Sequence, residues 1–120
     1  MSGSSLLTLN CLVSGDDADS VFPVKIENTE SVGWLREAIK NQDSVTFQNV
    51  RASSLDLWMV SILVDDNVND ELEELVLQND PDKGVLKLSP TYRLSEYFPA
   101  EPAYKHIHII VRPRHAGEYH

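Results

Sequence analysis

Lys105-His-Ile-His-Ile-Ile-Val-Arg112 is the most continuously apolar run in this chain, and its reading decides the fold. Its centre, Ile107 and Ile109-Ile-Val111, puts apolar residues on both faces of a strand, and a strand covered on both faces belongs in the middle of a sheet. Its partners are sought upstream. In Leu6–Val13, residues Leu7, Leu9, Cys11 and Val13 alternate with Leu6, Thr8, Asn10 and Leu12, the period of a half-buried strand. Gly15-Asp-Asp-Ala-Asp-Ser20 is turn chemistry. Val21–Ile26 then turns Phe22, Val24 and Ile26 inward. Pro23 has no donor for a ladder, which places that strand at an edge. A third run, Leu55–Val64, sets Leu55, Leu57 and Met59 against Asp56, Trp58 and Val60.

Between the second and third runs, Thr29–Lys40 reads as a short amphipathic helix. Thr29 suits the N-cap and Glu30 the first turn, where the helix dipole favours an acid. Val32, Leu35, Ala38 and Ile39 share one face. Trp34 lies beside that face and reads as packing at the edge of the core. Strand, strand, helix, strand, insertion, strand is the order of a ubiquitin-like β-grasp domain. The expected class is α+β, with a mixed four- to five-stranded sheet on one main helix, Ser31–Lys40. Leu7, Leu9, Phe22, Val24, Ile26, Val32, Leu35, Ile39, Leu57, Ile107, Ile109 and Val111 should form one core. In the insertion, Leu72, Leu75 and Val76 at helical spacing predict a helix over Asp70–Gln78. Asn79–Gly84 reads as a loop, and Leu94–Phe98 as a turn or short helix that plugs aromatic bulk beneath the sheet. The domain should run over 1–113, with 114–120 a flexible tail.

The chain has 120 residues, enough for a single core. Nineteen Asp and Glu against ten Lys and Arg give a formal charge of −9. A domain built to grip phosphates needs a basic face, so no nucleic-acid partner is expected. No stretch approaches the ~20 apolar residues of a membrane span, and no signal-peptide pattern is present at the start. Cys11 is the single cysteine. In phase with Leu7, Leu9 and Val13, it reads as a buried, inert thiol.

Little in the sequence points to catalysis. His106 and His108 are two apart on a strand and could begin a zinc site, but no third ligand is evident. Ser, His and Asp are present without a motif that links them. The five glycines are scattered and form no phosphate-cradling loop. Asp16-Asp17, Asp65-Asp66 and Glu73-Glu74 read as solvated charge. No catalytic residue, metal or cofactor is therefore expected. A ubiquitin-type conjugation tail ends in two glycines. Here the tail has only Gly117, with residues after it, so conjugation is not expected.

Several stretches together resemble the N-terminal domain of the Crinkler (crinkling and necrosis) effectors, in their fungal form. They are Leu9-Asn-Cys-Leu-Val13, Val21-Phe-Pro-Val-Lys-Ile26, Val32-Gly-Trp-Leu-Arg-Glu-Ala-Ile-Lys40, Ser54-Leu-Asp-Leu-Trp58, Leu88-Ser-Pro90, Leu94-Ser-Glu-Tyr-Phe98 and His106-Ile-His-Ile-Ile-Val111. The resemblance implies a modular effector: a non-catalytic N-terminal domain that serves secretion and translocation into host cells, and a C-terminal region acting there, often in the nucleus. It implies secretion by a route without a recognisable signal peptide. Oomycete members carry a Leu-x-Leu-Phe-Leu-Ala-Lys translocation motif. By position, Leu55, Leu57, Trp58, Met59 and Val60 resemble it. The alanine and lysine are lost, and in a half-buried strand the leucines would be core. The alternative reading is a generic intracellular ubiquitin-like adaptor without conjugation activity. A further one is a small metal-dependent enzyme centred on His106 and His108.

A sheet covered by one helix leaves one face open. Leu6, Leu12, Trp58 and Val60 then form an apolar interface, for a protein partner or for a second copy. The competing arrangement is that the insertion Asp66–Gly84 packs over that face and buries Trp58.

Overall fold

In a computed structural model that describes residues 6–99 and 102–113, the continuous apolar run forms β5 (His106–Pro113), the middle strand of five. It is flanked by β1 (Leu6–Val13), which it pairs in parallel from Cys11↔Ile109 to Val13↔Val111, and by β3 (Leu55–Leu63), which it pairs antiparallel. Outside β1 lies β2 (Phe22–Glu27), and outside β3 lies the two-residue β4 (Leu86–Lys87). Pro23 is therefore on an edge strand, where its missing donor costs least.

Helix α1 (Val32–Gln42) covers one face. Its N-cap is Ser31, whose hydroxyl accepts from the Trp34 N–H at 3.1 Å, and not Thr29. Thr29 and Glu30 belong to the turn before it. The N-terminal end of the helix is also tied down by loop carbonyls: Val32 N–H donates to Tyr92 O and Gly33 N–H to Pro90 O. Leu7, Leu9, Val24, Ile26, Val32, Leu35, Ile39, Leu57, Ile109 and Val111 form the expected core, with Phe22 half-buried at its margin. Phe47, Val50, Leu88 and Phe98 join it from segments outside the strands and helices, and Leu94 from a short helix. Leu94 opens the one-turn helix α3 (Leu94–Tyr97), so this segment does plug the core. Trp34, in contrast, is 57% exposed.

One predicted core residue sits elsewhere. Ile107 packs into a second cluster on the other side of the sheet. A register shift between Met59 and Ile62 accompanies it: Met59 faces Ile109, but Ile62, also in that second cluster, faces Ile107. One extra residue in β3 bends the strand and re-aims its neighbours.

The second cluster corrects the open-face expectation. Leu12, Trp58, Val60, Ile62 and Ile110 are buried there beneath Val68 of α2 (Val68–Glu74) and Val85. Leu72, Leu75 and Leu77 pack on its rim. The helix predicted over Asp70–Gln78 ends at Glu74, because Leu75 is already extended at φ −68°, ψ 128°. From there the period is two: Leu75 and Leu77 turn to the sheet and Val76, 61% exposed, turns away. This covering segment, residues 68–85 and hereafter the strap, closes with a bridge between Asp80 and Val85, around a turn where Gly84 takes the left-handed φ of 73°.

Candidate interaction surface

The residues expected at an interface fall into two groups. Leu6 is 58% exposed at the start of β1. Leu12, Trp58 and Val60 are buried by the strap, so they form a second core and not a free surface. The translocation-motif-like segment lies in β3 between the two layers. Leu55 and Leu57 face the helix side, Trp58 and Val60 face the strap side, and Met59 is half-buried. In the folded domain Leu55, Leu57, Trp58 and Val60 are therefore packed on two opposite faces of the sheet and not displayed along one exposed edge. Trp58 Nε1 finds no hydrogen-bond partner among the described residues, an unpaired donor inside the layer.

The two histidines are engaged separately by backbone. His106 Nδ1 lies 2.9 Å from Tyr104 O. His108 is 5% exposed, its Nδ1 accepting from the Asn10 N–H at 2.9 Å and its Nε2 lying 2.7 Å from Ala103 O. An accepting Nδ1 puts the ring proton on Nε2, which donates to that carbonyl. His108 is thus a stitch between β1, β5 and the segment before β5. Asn10 Nδ2 donates to His106 O and completes it. Among the described residues, no group of three or more His, Cys, Asp or Glu side chains is placed to hold a metal. Cys11 is fully buried in the helix-side core, and desolvation pushes its thiol pKa far up. Its neutral S–H donates to Leu9 O at 3.5 Å. It makes no nucleophile there. His115 and His120, and the tail 114–120, lie outside the described residues.

What the strap does leave is a cleft. It is about 360 Å³ and opens between the β1–β2 turn and α2. Leu12 and Ile110 of the sheet and Leu72, Leu75 and Leu77 of the strap give it apolar walls. Its two sides are latched together, Ala18 N–H donating to Asn69 Oδ1 at 3.0 Å. Gly15, at φ 95°, lets the turn reverse at the cleft mouth. Sequence reading misses this feature because the spacing of Leu72, Leu75 and Val76 extends the helix through it. The acids at its rim, Asp16, Asp17 and Glu73, read from sequence only as solvated charge.

The backbone is that of known proteins. It superposes on the solution structure of the C-terminal ubiquitin-like domain of mouse tubulin-specific chaperone e with a TM-score of 0.60, at 15% identity, covering 99% of this chain and 97% of that one. At that identity the likeness shows the fold alone, and the fold is ubiquitin-like. In sequence, the chain is 36% identical over 107 residues to Crinkler effector protein 1 of Rhizophagus irregularis. That alignment takes in 89% of this chain and 21% of the relative, so the chain spans about a fifth of the relative's length. The profile of the Crinkler effector protein N-terminal domain matches residues 7–112, from the first strand through the last. A sheet closed by the His106–Val111 strand, matched from end to end by that profile, makes this chain a member of the Crinkler effector N-terminal domain family.

Proposed function

We propose that this is a non-catalytic delivery domain that serves secretion and translocation into host cells and meets its partners by protein–protein contact. The observation that carries this reading is the extent of the family match. It covers the whole fold and corresponds to only about a fifth of the relative. A C-terminal effector domain in the full-length protein would then hold the toxic or regulatory activity, inside the host cell and in its nucleus. The buried state of Leu55, Leu57, Trp58 and Val60 supports a role for the folded surface over one for a linear motif. The described histidines and the cysteine are each committed to structure, which supports a domain without chemistry of its own.

The test is a reporter fused behind the 120-residue chain and followed from a producing cell into the medium and into host cells. Delivery that depends on the N-terminal domain supports the reading. A fusion that stays in the producing cell would favour the intracellular adaptor. Hydrolysis of ester, phosphate or peptide substrates by the purified domain, lost on His106→Ala or His108→Ala, would overturn the non-catalytic assignment.

A further inference from the structure

We infer that the cleft between the β1–β2 turn and α2 is a docking site for a basic peptide segment that inserts one aliphatic side chain between arginines or lysines. This inference rests on the reading of the domain as a protein-binding module and names the chemistry of the partner.

The cleft has the size and character for such an anchor. At about 360 Å³ it lies at the small end of ligand pockets and has room for a leucine or isoleucine side chain. Its apolar walls come from both the sheet and the strap, and Leu72, Leu75 and Leu77 remain half-exposed there. Side chains left half-exposed around a concavity gain by covering. The rim fixes the sign of the partner. Asp16, Asp17 and Glu73 are all exposed at the mouth, and no lysine, arginine or histidine among the described residues lines it. An acidic partner would be repelled, and a neutral one could only donate hydrogen bonds to the rim carboxylates, without charge attraction. A basic one gains from three carboxylates placed around the anchor. The chain's charge of −9 adds long-range attraction of the same sign. The Asn69–Ala18 latch joins the two sides of the cleft, so the site is formed before the partner arrives and less ordering is needed on binding.

Fluorescence polarisation with a labelled synthetic peptide tests this, the peptide carrying a central leucine flanked on each side by arginines. The expected result is saturable binding that weakens with salt. Replacing the leucine by alanine should weaken it about tenfold or more, the loss of one buried aliphatic side chain. The protein variant Glu73→Lys should weaken it about fivefold to tenfold, whereas Glu37→Lys on α1 should stay within about twofold. Both variants change the net charge equally, but Glu37 belongs to the helix on the opposite face of the sheet. Thermal melts confirm that each is folded. Equal binding of the leucine and alanine peptides, or equal losses in the two variants, would reduce the effect to bulk charge and overturn the proposal. So would a dimer that Glu73→Lys dissociates while peptide binding is absent, since the occupant would then be a second copy. Absent peptide binding with domain-dependent delivery intact would remove the cleft and leave the delivery role standing.

Discussion

Trp58→Ala is the perturbation that separates a covered sheet face from an open one. Trp58 is 7% exposed, between Ile110 on one side and the short strand β4 on the other. Truncating a buried tryptophan removes its transfer energy and leaves a cavity, at a cost of about 3–5 kcal/mol. A domain of this size has a total stability of only about 5–15 kcal/mol. The melting temperature should therefore fall by about 12–20 °C. Trp58→Phe divides the effect further. It removes the unpaired Nε1 donor, whose burial costs about 1–3 kcal/mol, and this offsets most of the lost ring area. That variant should stay within about 1 kcal/mol of the parent. Urea denaturation followed by far-ultraviolet circular dichroism measures both, because tryptophan fluorescence changes with the substitution itself. Light scattering on the same samples gives the mass. A Trp58→Ala protein within about 1 kcal/mol of the parent, or one that loses an oligomer at unchanged stability, would refute the packing of the strap. The sheet face would then be the interface expected from sequence.

Leu35→Ala, at a fully buried position in the helix-side core, should cost about 2–5 kcal/mol in the same denaturation assay. His108→Ala should cost about 2–4 kcal/mol, because the Asn10 N–H and the Ala103 carbonyl both lose a partner. His106→Ala, half-exposed, should cost under about 1 kcal/mol. Cys11 should react with a thiolate-selective reagent only through unfolding. Its folded pKa lies above the unfolded value of 9.0. Stability is therefore unaffected below about pH 9 and falls as pH rises above it, since only the unfolded thiol ionises. Labelling without denaturant that is faster than the measured unfolding equilibrium allows, and that is unchanged by destabilising the domain, would show the thiol to be accessible.

The helix-side core is legible in the sequence because its elements keep a single period. Leu7, Leu9 and Cys11 alternate and Val32, Leu35 and Ile39 recur at helical spacing, while β5 is apolar on both faces. The strap is harder to read because its period changes within a few residues. Leu72 is helical, Leu75 and Leu77 are extended, and the same leucines fit either pattern until the backbone is known. Two positions mislead through their own chemistry. His108 reads as half of an incomplete zinc site, but the Asn10 N–H and the Ala103 carbonyl satisfy both ring nitrogens inside the fold. Trp34 reads as core margin and stands in solvent. Phe47 and Val50 join the core from a segment without regular periodicity, so no pattern marks them.

If delivery is a property of the folded domain and not of a motif read along Leu55–Val60, two variants should behave in opposite ways when a fused reporter is followed into host cells. Leu57→Met conserves volume within β3 and should cost under about 1.5 kcal/mol. Leu35→Asp, outside the motif-like segment, puts a charge into the helix-side core and should unfold the domain. Parental delivery is predicted for Leu57→Met and none for Leu35→Asp. Loss of delivery by a Leu57→Met protein whose circular dichroism and melting are intact would contradict the folded-surface reading, as would delivery by an unfolded Leu35→Asp chain.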